Sequence, residues 1–256
     1  MPSGPFRLTR ACAVAALAAA TGCGPRGDLQ AERRGAAVRS DQQAAGATSP
    51  AAGRMAAPAA RPRIVALGDS LTAGLGLSMN QAYPALLQQR LTADGLDYEI
   101  VNAGVSGDTS AGGLARFDWA LDGDVRVLIV ALGGNDGLRG LPTEQLKRNL
   151  SQIIQRAQAR RITVILAGME APPNHGWEYV VDFHQVYPDL AQKYHVALVP
   201  FLLQGVAGHD ELNQRDGMHP TSEGARIVAD NVWAALKPIV EKLPRRMIRG
   251  ERPPGS

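Results

Sequence analysis

Three short apolar runs constrain the fold of this chain more than any other feature of its sequence. They cover residues 64–67, 127–132 and 162–167, and none shows the apolar–polar alternation of a half-exposed strand. Brief runs rich in β-branched residues predict strands that are buried on both faces, as in a parallel sheet. Residues 98–101 and 196–199 are weaker candidates for a fourth and a fifth strand.

Apolar residues at helical spacing occur between these runs. They mark one face of each of two helices, Leu146, Leu150, Ile153, Ile154 and Ala157 in the first and Val228, Val232, Ala235, Leu236, Ile239 and Leu243 in the second. We expect Thr143 to be the N-cap of the first helix, with Glu144 in its first turn. The second helix should open near Pro220 and Thr221.

Two less regular helices are expected over residues 83–91 and 181–194. Strands that alternate with helices in this way predict an α/β fold. We therefore expect one domain over residues 62–243, a three-layer α/β/α sandwich with a five-stranded, mostly parallel sheet.

Polar or glycine-rich segments follow three of the predicted strands. Gly-Asp-Ser-Leu at residues 68–71 follows the predicted strand 64–67. Ser-Gly-Asp at 106–108 comes after the weaker candidate 98–101, and Gly-Gly-Asn-Asp at 133–136 follows the strand 127–132. In doubly wound sheets, ligands bind beyond the carboxyl ends of the strands. We therefore expect Ser70, Gly107 and Asn135 to lie close together.

Ser70 is the predicted nucleophile of this site. A serine hydroxyl is a weak nucleophile at neutral pH and needs a neighbouring base. His219 is the candidate base, and Asp216, three residues earlier, is placed to fix its tautomer and stabilise the imidazolium. Two alternatives remain open at this point: Ser70 as a helix N-cap only, and His219 as an ordinary surface histidine.

Attack on a carbonyl group creates an oxyanion, which needs preorganised hydrogen-bond donors. The predicted donors are the backbone N–H groups of Ser70 and Gly107 and the side-chain amide of Asn135. Glycine at position 107 lets the backbone approach a substrate without a Cβ in the way. Each segment alone is an ordinary turn, and their joint occurrence after successive strands is what predicts acyl transfer.

These residues resemble those of the SGNH hydrolases, also called GDSL esterases and lipases. Ser70, Gly107, Asn135 and His219 match the four residues that name the family, and Asp216 matches its usual triad carboxylate. The resemblance covers about residues 63–243 and is greatest to the bacterial branch of multifunctional acyl-CoA thioesterases, lysophospholipases and arylesterases. It implies a flavodoxin-like sandwich and hydrolysis of ester and thioester bonds without a metal or cofactor.

The substrate is expected to be a small-molecule or lipid ester with a short to medium acyl chain. Leu138, Trp177, Tyr179 and Val180 are the predicted substrate-binding residues, because they offer a modest apolar wall beside the segment that carries Asn135. Trp177 and Glu178 stand where members of the branch often have a basic residue, which lowers the expected preference for phosphate-bearing leaving groups. Two alternatives are a carbohydrate O-acetylesterase and a non-catalytic tethered binding lipoprotein.

The first 23 residues have the pattern of an export signal. Two arginines precede an apolar stretch that is too short to span a bilayer. The small residues before Cys23 resemble a bacterial lipobox, so Cys23 is the predicted lipidation site of a periplasmic or outer-membrane-anchored lipoprotein. The alternative is an ordinary signal peptide that is cleaved after a small residue. Residues 24–61 are expected to be a disordered linker and residues 244–256 a disordered basic tail.

The positive charge of the chain is concentrated outside the predicted domain. The whole chain carries a formal net charge of +3, whereas residues 62–243 contain more acidic than basic side chains. A mildly acidic domain argues against nucleic acid as a partner. The sequence gives no prediction of oligomeric state.

Overall fold

The computed structural model describes residues 61–243. The predicted signal peptide, Cys23, nearly all of the predicted linker and the basic tail lie outside the described residues.

Five parallel strands form one sheet, as the sequence predicts. They are β1 (Arg63–Gly68), β2 (Glu99–Gly104), β3 (Val125–Ala131), β4 (Thr163–Ala167) and β5 (Ala197–Val199). Their order across the sheet is β2-β1-β3-β4-β5. Residues 64–67 of β1 and 127–131 of β3 are buried, which accounts for the continuous apolar sequence of each.

Eight α-helices are present in the described part of the chain: α1 (Ser70–Ala73), α2 (Tyr83–Ala93), α3 (Ser110–Ala115), α4 (Phe117–Ala120), α5 (Gly134–Leu138), α6 (Thr143–Ala159), α7 (Trp177–Tyr194) and α8 (Ser222–Lys242). Short 3₁₀ turns cover Met79–Gln81, Pro173–His175 and Asp210–Leu212. One group of packed helices contains α2 and α8, and a second contains α3, α6 and α7. The fold is therefore the predicted α/β sandwich.

The start of α6 differs from the prediction by one residue. Pro142 occupies the N-cap position, and Thr143 is the first helical residue rather than the N-cap. The carbonyl oxygen of Pro142 accepts the first helical hydrogen bond, from the N–H of Gln145 at 2.9 Å. Proline suits this position because it has an extended backbone and no N–H to satisfy. Glu144 lies in the first turn, as predicted.

Helix α7 begins four residues before its predicted start, and α8 begins where it was predicted. Gly176 precedes α7 with a φ of 91°, which lets the chain turn sharply into the helix. Thr221 is the N-cap of α8, and its side chain accepts a hydrogen bond from the N–H of Gly224. No helix among residues 61–243 has the length and apolar content to cross a membrane.

The strand order sets the place of the site. The chain runs from β1 to β2 on one side and then crosses to β3 on the other side of β1. Such a reversal opens a crevice beyond the carboxyl ends of the two strands that flank it. Ser70 follows β1 and Asn135 follows β3, so both segments border this crevice.

Candidate active site

Ser70 is the first residue of α1, and one residue, Asp69, separates it from the end of β1. The N-cap of this helix is Asp69, whose Oδ1 accepts a hydrogen bond from the N–H of Leu71 at 3.0 Å. The side chain of Ser70 is thus not used as the helix cap. Its hydroxyl oxygen lies 2.8 Å from His219 Nε2, although the two residues are 149 positions apart in the sequence.

His219 lies between Ser70 and a carboxylate. Its Nδ1 is 2.7 Å from Asp216 Oδ2, and its side chain is 16% exposed, unlike that of an ordinary surface histidine. Asp216 Oδ1 accepts hydrogen bonds from the N–H groups of His219 and Met218 at 3.0 and 2.9 Å. These backbone donors, together with the His219 ring, lower the pKa of Asp216 to about 2. Asp216 is therefore ionised at neutral pH.

Gln214 connects the His219 loop to the segment that follows Ser70. Its Nε2 donates to the carbonyl oxygen of Leu75 at 2.7 Å and to that of Pro220 at 3.0 Å. Its backbone N–H donates to the carbonyl oxygen of His219 at 2.7 Å. Sequence analysis missed this residue, because a glutamine in a polar loop carries no signal of a contact so distant in sequence.

Asn135 contacts the sequence neighbours of both Ser70 and Gly107. Its Nδ2 donates to the carbonyl oxygen of Asp108 at 2.9 Å and lies 3.3 Å from Asp69 Oδ2. Gly107 has a φ of 82°, in the region that favours glycine. The structure thus brings together the three segments that carry the predicted oxyanion donors.

Two buried carboxyl groups lie beside these segments. Both oxygens of Asp136 accept hydrogen bonds from Ser110, from its hydroxyl at 2.5 Å and from its N–H at 2.8 Å. Burial raises the pKa of Asp136 and raises that of Asp69 to about 6, against the opposing effects of the Leu71 N–H and the charge of His219. The sequence pattern placed Asp136 in a turn and gave no indication of its burial.

The predicted acyl-binding residues differ in their surroundings. Leu138 and Trp177 are exposed, and Val180 is half-buried. The Tyr179 hydroxyl donates to the carbonyl oxygen of Leu141 at 2.9 Å, and its ring contacts those of His175 and Phe183. Tyr179 therefore fastens α7 to the segment after α5, while Leu138, Trp177 and Val180 retain free apolar surface.

A small apolar cavity borders Ser70 and His219 on the side of α1 and α8. Its apolar walls come from Leu71, Leu75, Leu77, Tyr83, Pro220, Ala225 and Val228. Sequence analysis did not predict this cavity, because its lining comes from two segments far apart in the chain. Within residues 61–243, no group of three histidine, cysteine, aspartate or glutamate residues is arranged to hold a metal ion.

A hydroxyl, an imidazole and a carboxylate in hydrogen-bonded sequence, at the carboxyl edge of a parallel sheet, define a serine-hydrolase site. Comparison with known proteins gives the family. The model of the GDSL-like Lipase/Acylhydrolase family matches residues 66–227, and the chain belongs to this family.

Named relatives agree with this assignment. Esterase TesA of Pseudomonas aeruginosa is 46% identical over 183 residues, which cover 71% of this chain and 91% of the relative. Thioesterase 1/protease 1/lysophospholipase L1 of Escherichia coli K12 is 38% identical over 183 residues, 71% of this chain and 86% of the relative. A crystal structure of TesA, 45% identical, matches with a TM-score of 0.67 over 69% of this chain and 99% of that chain.

The chain is therefore an ester hydrolase, and the predictions of family, fold and reaction class are confirmed. The relatives do not favour the two alternatives, a carbohydrate O-acetylesterase and a non-catalytic binding lipoprotein.

Proposed function

We propose that this enzyme cleaves esters through an acyl-enzyme on Ser70, with His219 as the base and Asp216 as its orienting carboxylate. The observation that carries the proposal is the 2.8 Å contact between Ser70 Oγ and His219 Nε2. Hydrogen-bond reach between a nucleophile and its base is the first requirement of this chemistry.

The reaction has two steps. His219 Nε2 takes the proton of the Ser70 hydroxyl as Oγ attacks the carbonyl carbon, and it then gives that proton to the leaving group. Water hydrolyses the acyl-enzyme with His219 again acting as the base. The ionised carboxylate of Asp216, 2.7 Å from Nδ1, stabilises the imidazolium that forms in both steps.

The oxyanion of each tetrahedral intermediate is stabilised by the N–H groups of Ser70 and Gly107 and by the Asn135 amide. The Asn135 amide is oriented by Asp108, whose carbonyl oxygen takes one of its two N–H groups. The other N–H has only the long 3.3 Å contact with Asp69 in the structure. A donor that is held by one strong bond needs little reorganisation when charge develops.

The proposed substrates are esters and thioesters of short to medium acyl chains, including aryl esters and lysophospholipids. The names of the relatives, an esterase and a thioesterase 1/protease 1/lysophospholipase L1, support esters, thioesters and lysophospholipids as substrate classes. Helix α5 joins Asn135 to Leu138, and His175 Nε2 lies 3.3 Å from the Leu138 carbonyl oxygen, which brings the turn before Trp177 beside the same segment. Leu138, Trp177, Tyr179 and Val180 form the proposed acyl-binding wall.

The test of substrate range is kcat/KM for p-nitrophenyl esters from acetyl to palmitoyl, with Ser70→Ala as the control. Each buried methylene of the acyl chain should contribute about 0.8 kcal/mol until the acyl chain is longer than the wall. We therefore expect kcat/KM to rise up to medium acyl chains and to fall at palmitoyl. Trp177→Ala should lower kcat/KM more for octanoyl than for acetyl esters. Equal losses at every length would assign Trp177 no part in acyl binding, and activity in Ser70→Ala would refute the acyl-enzyme itself.

We propose that the enzyme is exported. Residues 1–23 act as a signal peptide, Cys23 carries a lipid, and residues 24–61 tether the catalytic domain, residues 62–243, ahead of a basic tail at 244–256. The small residues before Cys23 support lipidation. Cell fractionation and palmitate labelling of wild type and Cys23→Ser test the anchor. Equal membrane association of the two proteins would leave a secreted enzyme without a lipid.

A further inference from the structure

One guanidinium group connects the carboxyl end of β1 to the end of β2 and the segment that follows β2. Arg116 lies between α3 and α4, and its side chain is only 16% exposed. Its Nε donates to Asp108 Oδ2 at 2.6 Å, and its Nη1 and Nη2 donate to the carbonyl oxygens of Ala103 and Gly68 at 2.7 and 2.8 Å. Each nitrogen thus serves a different acceptor at the short distance of a charge-assisted hydrogen bond.

The three acceptors all adjoin the proposed oxyanion hole. Gly68 ends β1 two residues before Ser70, and Ala103 is the last residue but one of β2, four residues before Gly107. Asp108 directly follows Gly107, and its own carbonyl oxygen accepts the hydrogen bond from Asn135. Arg116 therefore contacts the supports of all three donors while touching none of the donors themselves.

The carboxylate of Asp108 is enclosed as well as paired. A Cβ at Gly112 would come within 2.0 Å of Asp108 Oδ1, so α3 packs closely against one side of this carboxylate while Arg116 binds the other. The Asp108 side chain is therefore held on two sides, which restricts the backbone that carries it. Since Asn135 takes its orientation from that backbone, the position of Asp108 sets where the amide donor points.

We propose that Arg116 is a positioning residue that sets the geometry of the oxyanion donors through Asp108, Ala103 and Gly68. This proposal rests on the proposed roles of Ser70, Gly107 and Asn135. A lysine cannot take over the task, because its N–H groups are on one atom and cannot reach three acceptors arranged around a planar guanidinium.

Arg63 provides a matched control at the other end of β1. Its guanidinium also pairs with one carboxylate, that of Glu99 at 3.0 Å, and donates to one carbonyl oxygen, that of Asp122 at 3.1 Å. It joins the same strand to its surroundings by the same chemistry, but at the end of the sheet away from Ser70. A purely structural role for Arg116 would make the two arginines equivalent in activity measurements.

The experiment compares Arg116→Lys and Arg63→Lys, with kcat, KM, thermal midpoint and active sites counted by a fluorophosphonate probe. We expect Arg116→Lys to lower kcat per active site by roughly 10- to 100-fold, because small misplacements of transition-state donors have effects of this size. KM should change little, and the pH profile of kcat/KM should keep its apparent pKa, since His219 is untouched. Arg63→Lys should stay within about twofold of wild-type kcat.

Chemical rescue separates the guanidinium from its charge. Ethylguanidinium at millimolar concentration should restore part of the kcat of Arg116→Ala with saturation, whereas ethylammonium should not. If Arg116→Lys does not fold, Asp108→Asn replaces it, since this change weakens the ion pair and keeps the backbone carbonyl. It should lower kcat by roughly 3- to 10-fold at unchanged KM.

Equal kcat per active site in Arg116→Lys and Arg63→Lys, an effect on KM alone, or rescue by both cations alike would overturn the positioning role. Where Asp108→Asn replaces Arg116→Lys, an unchanged kcat in Asp108→Asn would also overturn the positioning role. Ser70→Ala, assayed in parallel, tests the proposed function separately. If it retains activity, the acyl-enzyme assignment fails; if it is inactive while the two arginine variants agree, only the role of Arg116 fails.

Discussion

The two ends of the same parallel sheet treat polar groups in opposite ways. At the amino end, Arg63 pairs with Glu99 and Arg126 pairs with Asp124, and all four side chains are at least 35% exposed. At the carboxyl end, Asp69, Ser110 and Asp136 are almost completely buried. Between the two ends, residues 64–67 of β1 and 127–131 of β3 are apolar and buried, so the difference arises in the first residues of the strands and in the loops.

The physical cost of the two arrangements differs. An exposed ion pair contributes about 0–1 kcal/mol to the free energy of unfolding. Charged side chains at the amino end can therefore be replaced with little loss of stability. A buried carboxyl group is unfavourable unless it is hydrogen-bonded, and both oxygens of Asp136 are indeed occupied by Ser110. We infer that chemistry determines the residues at the carboxyl end. Changes there should lower kcat, and changes at the amino end should alter stability only.

The largest expected effect at the carboxyl end comes from His219. His219→Ala should lower kcat by at least roughly 10⁴-fold while the protein stays folded, because Ser70 loses its base. Asp216→Asn should cost less, since it removes the partner of Nδ1 and leaves the base in place. Steady-state kinetics with p-nitrophenyl acetate and circular dichroism of both variants check this. A greater loss in Asp216→Asn than in His219→Ala would contradict the assigned roles.

Asn135→Ala should have the next largest effect. We expect kcat to fall by roughly 10²–10³-fold with little change in KM, as for a donor that acts mainly in the transition state. Asn149→Ala is a useful comparison. Asn149 donates to Ser110 Oγ at 2.9 Å, and Ser110 in turn donates to Asp136, the residue after Asn135, so Asn149 does not contact the proposed oxyanion hole itself. Asn149→Ala should lower kcat less than Asn135→Ala. A change confined to KM in Asn135→Ala would make Asn135 a ground-state binding residue.

Sequence alone predicted the strands and the convergence of Ser70, Gly107 and Asn135, because buried strands have a distinctive apolar pattern and their carboxyl ends meet at one edge. It did not predict the contacts that hold these loops. Arg116 reads as an ordinary cation at a helix C-terminus, yet it reaches Gly68, 48 positions earlier. Such contacts depend on how the loops pack against one another. They leave no repeating pattern in the sequence of the kind that marks a strand or a helix. The error at Thr143 has another cause, since threonine and proline both suit a helix start.

Asp69 should make the stability of the carboxyl end depend on pH. Its pKa is raised from 3.8 to about 6, mainly by burial, so the folded protein keeps this proton in a range where the unfolded chain has lost it. Its contribution is therefore fully present below about pH 4 and is lost as pH rises to about 6, by at most about 3 kcal/mol. Asp216 acts in a separate window, because its lowered pKa makes its contribution fall only as pH drops below about 4.

The check is the free energy of unfolding by urea between pH 4 and 7 for wild type and Asp69→Asn. Asparagine retains an acceptor for the Leu71 N–H, so the cap of α1 is preserved. The decline of stability with rising pH should be smaller in the variant than in wild type. Parallel curves for the two proteins would show that Asp69 titrates normally, and that burial at this end is less complete than its environment indicates.

The smallest effect is expected at the amino end, from Arg63→Ala. The side chains of Arg63 and Glu99 are 35% and 39% exposed, so solvent screens their attraction. The free energy of unfolding should fall by at most about 1 kcal/mol, and kcat should stay within about twofold of wild type. Urea unfolding and steady-state kinetics with p-nitrophenyl acetate measure both quantities.

This last variant tests the contrast between the two ends most directly, because Arg63 and Gly68 are the first and last residues of one six-residue strand. Gly68 contributes a carbonyl oxygen to Arg116, so a displacement along β1 would reach the supports of the oxyanion donors. The buried interior of β1, paired on both sides by β2 and β3, should prevent that displacement. A tenfold loss of kcat in folded Arg63→Ala would mean that β1 transmits the displacement to the carboxyl end. Activity would then depend on residues at both ends of the sheet.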